Sequence, residues 1–203
     1  MKRTIIMVIM TSLAITAFTQ TSSWTDADRK YLLENLNRSR DELISETTGL
    51  SDKQWTFKES AGRWSIADVV EHIGIWELLL QREINMALAS GPQPDLAGTS
   101  PADSIVYGFI MEDKPHVTNE YTVPFTFAQP SGIVTGEQSK ALLLKRRSES
   151  IQYLGSATNN LREYFMKKGR KNIHHVYITT FGHMDRHIRQ IRKIKADKNY
   201  PKT

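Results

Sequence analysis

Three short polar pairs at helical spacing constrain this chain more than anything else in it. Thr25 with Asp28, Ser65 with Asp68 and Thr135 with Gln138 each place a hydroxyl three residues before an acid or amide. That is the capping-box pattern, in which two otherwise orphaned N–H groups at a helix start are satisfied reciprocally. Behind each pair runs an apolar stripe at helical period. The first predicts a helix over residues 26–48 on Leu32, Leu33, Leu36, Leu43 and Ile44, with Gly49 as its stop. The second predicts 66–89 on Val69, Ile73, Trp76, Leu80 and Ile84, ended by Ser90-Gly91-Pro92. The third predicts 136–168 on Leu144, Ile151, Leu154, Leu161 and Phe165, ended by Gly169. A fourth stripe, Tyr177, Phe181, Met184, Ile188 and Ile191, predicts a last helix over 174–195. Four long amphipathic helices with little strand pattern give an all-α fold, a four-helix bundle. The stretch from Leu50 to Arg63 reads as a loop anchored by Trp55 and Phe57. Helices 2 and 3 are joined by a long irregular connection carrying Pro92, Pro94, Pro101, Pro115, Pro124 and Pro130, with a short helix expected over 102–111.

The chain of 203 residues suits one domain plus a leader. Met1-Lys2-Arg3 followed by an apolar run from Ile5 to Phe18 fits a secretory signal peptide, too short to span a bilayer. Residues 1–19 are therefore expected to be removed before Gln20. That leaves a single domain over 20–203, exported to a periplasm or medium and without stable membrane insertion. Cysteine is absent, so thiolate metal sites, CxxC redox chemistry and cysteine nucleophiles are excluded. Net charge is +5, with the basic residues late in the chain and no aromatic-interleaved basic motif; nucleic acid is not an expected partner.

Six histidines carry the remaining chemistry. His183 and His187 stand four apart on the last helix, which puts both imidazoles on one face. His72 lies among Val69, Trp76 and Leu79, where an unpaired imidazole is costly. Two readings follow: a core histidine bonded to a backbone carbonyl, or three imidazoles from two helices aimed at one divalent ion, an open site for metal-activated water. His174 and His175 begin the last helix, where capping is the expected role. His116 sits in the proline-rich connection. Asp185 points away from the line of His183 and His187, and Asp68 has capping as its simpler role.

Three stretches resemble the DinB-like (YfiT-related) metalloenzyme family. They are Leu50-Ser51-Asp52-Lys53-Gln54-Trp55, Gly62-Arg63-Trp64-Ser65-Ile66-Ala67-Asp68-Val69-Val70-Glu71-His72-Ile73, and His183-Met184-Asp185-Arg186-His187-Ile188-Arg189-Gln190-Ile191. Pro130-Ser131-Gly132 also resembles that family's turn before the third helix. The resemblance implies a four-helix bundle whose His72, His183 and His187 hold a divalent metal ion, zinc or nickel, and a homodimer as a common assembly. It also implies either a metal-dependent hydrolase, with metal-bound water as nucleophile, or a thiol S-transferase acting on a small-molecule substrate. Arg189 departs from the family pattern, in which a small residue commonly follows the last histidine. A helical bundle that binds a small ligand without catalysis is the further alternative.

Overall fold

The computed structural model describes residues 23–112, 128–166 and 171–202. The expected leader, its cleavage point before Gln20 and His116 lie outside them. Among the described residues four long helices dominate: α1 (Asp26–Thr47), α3 (Ile66–Ser90), α5 (Gly136–Ser156) and α6 (Ile173–Lys195). Two shorter ones, α2 (Asp52–Thr56) and α4 (Asp103–Met111), lie in the connections. All three sequence-predicted capping boxes form, at Thr25, Ser65 and Thr135. A fourth, Ser51 with Gln54, opens α2 inside the segment expected to be loop. None of the described helices is long and apolar enough to cross a membrane.

α1 and α3 each pack against both α5 and α6, so the ring order is α1–α5–α3–α6. The connections from α1 to α3 and from α5 to α6 therefore cross a diagonal rather than joining neighbours. This explains the one boundary that departs from expectation. The third helix ends at Ser156, not near residue 168. Leu161 and Phe165 keep the helical spacing and are buried, but they sit in a turn whose end forms a bridge between Phe165 and Asn172. The apolar period there records the burial of side chains carried by the crossing segment itself, not a helix.

The core has two apolar halves. One gathers Leu32, Leu36, Leu80, Ile84, Leu154, Tyr177 and Phe181; the other gathers Leu43, Ile66, Val69, Ile73, Leu143, Met184, Ile188 and Ile191. Between them in sequence, on three helices, lie Ser39, Glu77 and Arg147. The Arg147 guanidinium is fully buried, pairs with Glu77, and donates to the Leu36 carbonyl at 3.0 Å and to Ser39 Oγ at 2.8 Å. A buried charge survives only when so paired and hydrogen-bonded. α4 packs on α6 beside the first half.

Candidate metal centre

The Ser65–Asp68 capping box fixes where α3 begins, and hence which face His72 shares with Val69 and Ile73. The same reasoning places His183 and His187 one turn apart on α6, between Phe181 and Ile188 of the core stripe. The structure brings all three together. Ring centroids lie 5.2 Å apart for His72 and His183, 4.8 Å for His72 and His187, and 4.4 Å for His183 and His187. One nitrogen from each lies within 4.8 Å of the other two. Trp64 covers His72 at 4.7 Å between centroids, and Trp76 stands 5.6 Å from His183. His72 and His187 are buried, and His183 is half-buried.

Hydrogen bonds decide which nitrogens face inward. His72 Nδ1–H donates to the Ala128 carbonyl at 2.7 Å, and His187 Nδ1–H donates to Gln190 Oε1 at 2.9 Å. A neutral imidazole has one proton, so both rings present a bare Nε2. Ala128 is brought to this place by its neighbours. Glu71, adjacent to His72, accepts from Ser131 N–H at 2.9 Å, Ser131 Oγ–H at 2.5 Å and Gly132 N–H at 3.1 Å. Gly132 adopts a φ of 67°, a left-handed conformation that a residue with a Cβ rarely takes.

The residues fit a divalent ion. Zinc–imidazole bonds of about 2.0–2.1 Å set donors around one ion about 3 Å apart. His183 Nε2 and His187 Nε2 are 3.0 Å apart. Two ring nitrogens at that spacing need a shared proton or a cation between them. Ligation also requires neutral imidazole. Burial first, then the neighbouring imidazoles and Arg186, keep His183 well below its ordinary value. Burial, with His72 and Arg186, pushes His187 down to about 3 despite the hydrogen bond it donates to Gln190. Burial lowers His72 against the opposing pull of the Ala128 carbonyl.

The other sequence-singled residues lie elsewhere. His174 and His175 do not cap α6; Asn172 does, accepting from His175 N–H at 3.0 Å. Both imidazoles are fully buried and donate from Nε2 to the two oxygens of Asp103, each at 3.0 Å. Trp24 Nε1–H fixes the His174 tautomer by donating to its Nδ1 at 3.1 Å. Asp28, Asp103 and His174 thus form a second cluster of would-be ligands. Its carboxylates are already spent on a guanidinium: Arg162 Nη2 donates to Asp28 at 2.7 Å and to Asp103 at 2.8 Å. Although burial pushes Asp103 upward, the bonds from His174, His175 and Arg162 outweigh it and hold the carboxyl far below its usual range. Nothing in its sequence neighbourhood marks Asp103, which reads as an ordinary first-turn acid. Asp185 does point away, accepting from Arg38 at 2.7 Å and from Tyr107 at 3.1 Å. Asp68 caps α3 and pairs with Lys58 at 2.8 Å.

Among solved structures the chain is similar to YfiT from Bacillus subtilis, described as a probable metal-dependent hydrolase with an unusual four-helix bundle topology. The likeness has 13% identity and a TM-score of 0.48, covering 88% of this chain and 91% of that one. A search of the curated proteins finds no match. The sequence pattern of the DinB superfamily matches residues 35–191, a span that takes in α3 and α5 whole, most of α1 and α6, and His72, His183 and His187: the chain belongs to the DinB superfamily.

Proposed function

We propose that this protein is a metal-dependent enzyme that hydrolyses a small molecule, with His72, His183 and His187 holding one divalent ion, zinc or nickel. One observation carries the reading: three imidazoles from two helices converge, and two of them have given their Nδ1 protons to acceptors outside the cluster. An ion held by three imidazoles with a position left open supplies Lewis acidity and lowers the pKa of water. The chain's own residues do the rest. Ala128 and Gln190 fix tautomers, as outer partners of metal-binding histidines do. Burial keeps the rings neutral, and Trp64 closes over His72 and His187. Among the described residues no carboxylate hydrogen-bonds to the three rings, and we assign no general base.

The test is metal content by mass spectrometry for wild type, His183→Ala and His116→Ala after equal exposure to Zn²⁺ or Ni²⁺ and desalting. Wild type and His116→Ala should retain about one ion per chain and His183→Ala far less, since the remaining pair leaves the ion mostly hydrated. Equal retention by wild type and His183→Ala would refute the centre. Ester and amide substrates assayed with and without added thiol then separate hydrolysis from transfer.

A further inference from the structure

A groove of about 350 Å³ opens beside the three-histidine cluster. Two of its walls tie it to that cluster: Trp64, which stacks 6.4 Å from His187, and Gln190, which accepts the His187 proton. The rest of the lining is charged and one-sided. Among the described residues, Arg63, Arg186, Arg189 and Lys193 contribute cations to it and Glu59 a carboxylate. Two of the cations are held in place by the end of α4: Arg186 donates to the Glu112 carbonyl at 2.8 Å, and Arg189 to the Met111 carbonyl at 2.7 Å. Arg63 and Lys193 are exposed and form no ion pair with any described residue. The volume suits a small molecule rather than a polymer.

We propose that the substrate of this centre is an anion, a small molecule whose carboxylate or phosphate is drawn by Arg63, Arg186, Arg189 and Lys193 to the mouth beside His187; the inference rests on the three-histidine reading above. Arginine suits such a group, because its planar fork matches an oxyanion. Cations lining a cleft also raise the local concentration of an anionic ligand.

Calorimetric titration of the full chain tests this, once freed of metal with a chelator and once loaded with Zn²⁺. The probes are malonate, inorganic phosphate and, as the uncharged counterpart, dimethyl malonate. At least one anion should bind saturably in both states while the diester does not; which anion binds separates carboxylate from phosphate substrates. Arg63→Gln/Lys193→Gln should weaken that binding by about tenfold, the size expected for two exposed charges at contact distance. Glu59→Gln should tighten it, and added salt should weaken it. Equal binding by wild type and the double variant, or no saturable binding of either anion, would overturn the proposal. Metal content on the same samples keeps the two readings apart. If wild type holds no metal yet binds an anion through Arg63 and Lys193, the three-histidine reading fails and the anion site stands. If every variant holds metal and none discriminates charge, the anion site fails and the metal centre stands.

Discussion

An imidazole offers a ligand only at the nitrogen its other hydrogen bond leaves bare, so the acceptors behind a histidine matter almost as much as the ring. Gln190 is such an acceptor for His187, at 2.9 Å. Gln190→Leu should leave all three rings in place yet free His187 to rotate or take the other tautomer. Metal affinity, read by competition with a chromogenic chelator, should fall about 10–100-fold, the usual cost of losing an outer partner. An affinity equal to wild type would show that Gln190 has no such role. The three rings themselves were legible in the sequence, because an i, i+4 pair and an imidazole among apolar neighbours are local signals. Their acceptors were not. Gln190 lies in the stretch from His183 to Ile191, but nothing at that spacing distinguishes it from a solvent-facing amide. Ala128 reaches His72 through a carbonyl, which every residue possesses. The two readings of His72 offered by the sequence are compatible: one ring nitrogen bonds a carbonyl, and the other faces the cluster, where the metal reading needs it.

Helix starts were readable for the same reason: each capping box lies within four consecutive residues. Helix ends and neighbours depend on what crosses above them. Ser156-Ala157-Thr158-Asn159-Asn160 is a run of loop-forming residues, and in the structure it outweighs the apolar period of Leu161 and Phe165, which are buried by packing rather than by helix. The start of α5 shows the constraint from the other side. A Cβ on Gly136 would sit 2.3 Å from Trp55 Cε3, jammed against the ring of a side chain that is only 3% exposed. Glycine is required there by contact, not by backbone angle. Gly136→Ala should therefore destabilise despite alanine's better helix propensity, by about 1–3 kcal/mol, as overpacking does. Urea unfolding with an unchanged m-value would report it. A stability equal to or above wild type would mean that α2 and its tryptophan give way freely.

Two polar knots hold the four long helices in register, and neither was visible in the sequence because each joins residues from distant segments. Arg147 links α5 to α3 and α1 at mid-height. Asp103 links α4 to the first turn of α6 and, through Arg162, to Asp28 at the start of α1. The second knot has a pH signature with a definite sign. Asp103 is held far below its unfolded value of about 3.9, so its contribution is complete above pH 4 and is lost as pH falls below that. Asp28, lowered by Arg162 and Thr25 against its burial, acts in the same direction. His174 is lowered mainly by burial, so the unfolded chain takes up its proton first and stability begins to decline below about pH 6.5. Asp103 also pulls His174 back upward, a pull that Asp103→Asn removes, so the gap between wild type and that variant widens where the wild-type ring takes up its proton and narrows only where the Asp103 carboxyl does. At pH 7 Asp103→Asn should melt at a lower temperature, because an amide nitrogen would replace an oxygen that now accepts from an imidazole or a guanidinium. As pH falls from 4 toward 3 the gap should narrow, since wild type loses what the variant never had. Thermal melts of both proteins across pH 7 to 3 decide the matter. A gap that stays constant into acid would mean that the cost of Asp103→Asn is steric, and that the carboxylate's charge does not hold α4 against α6.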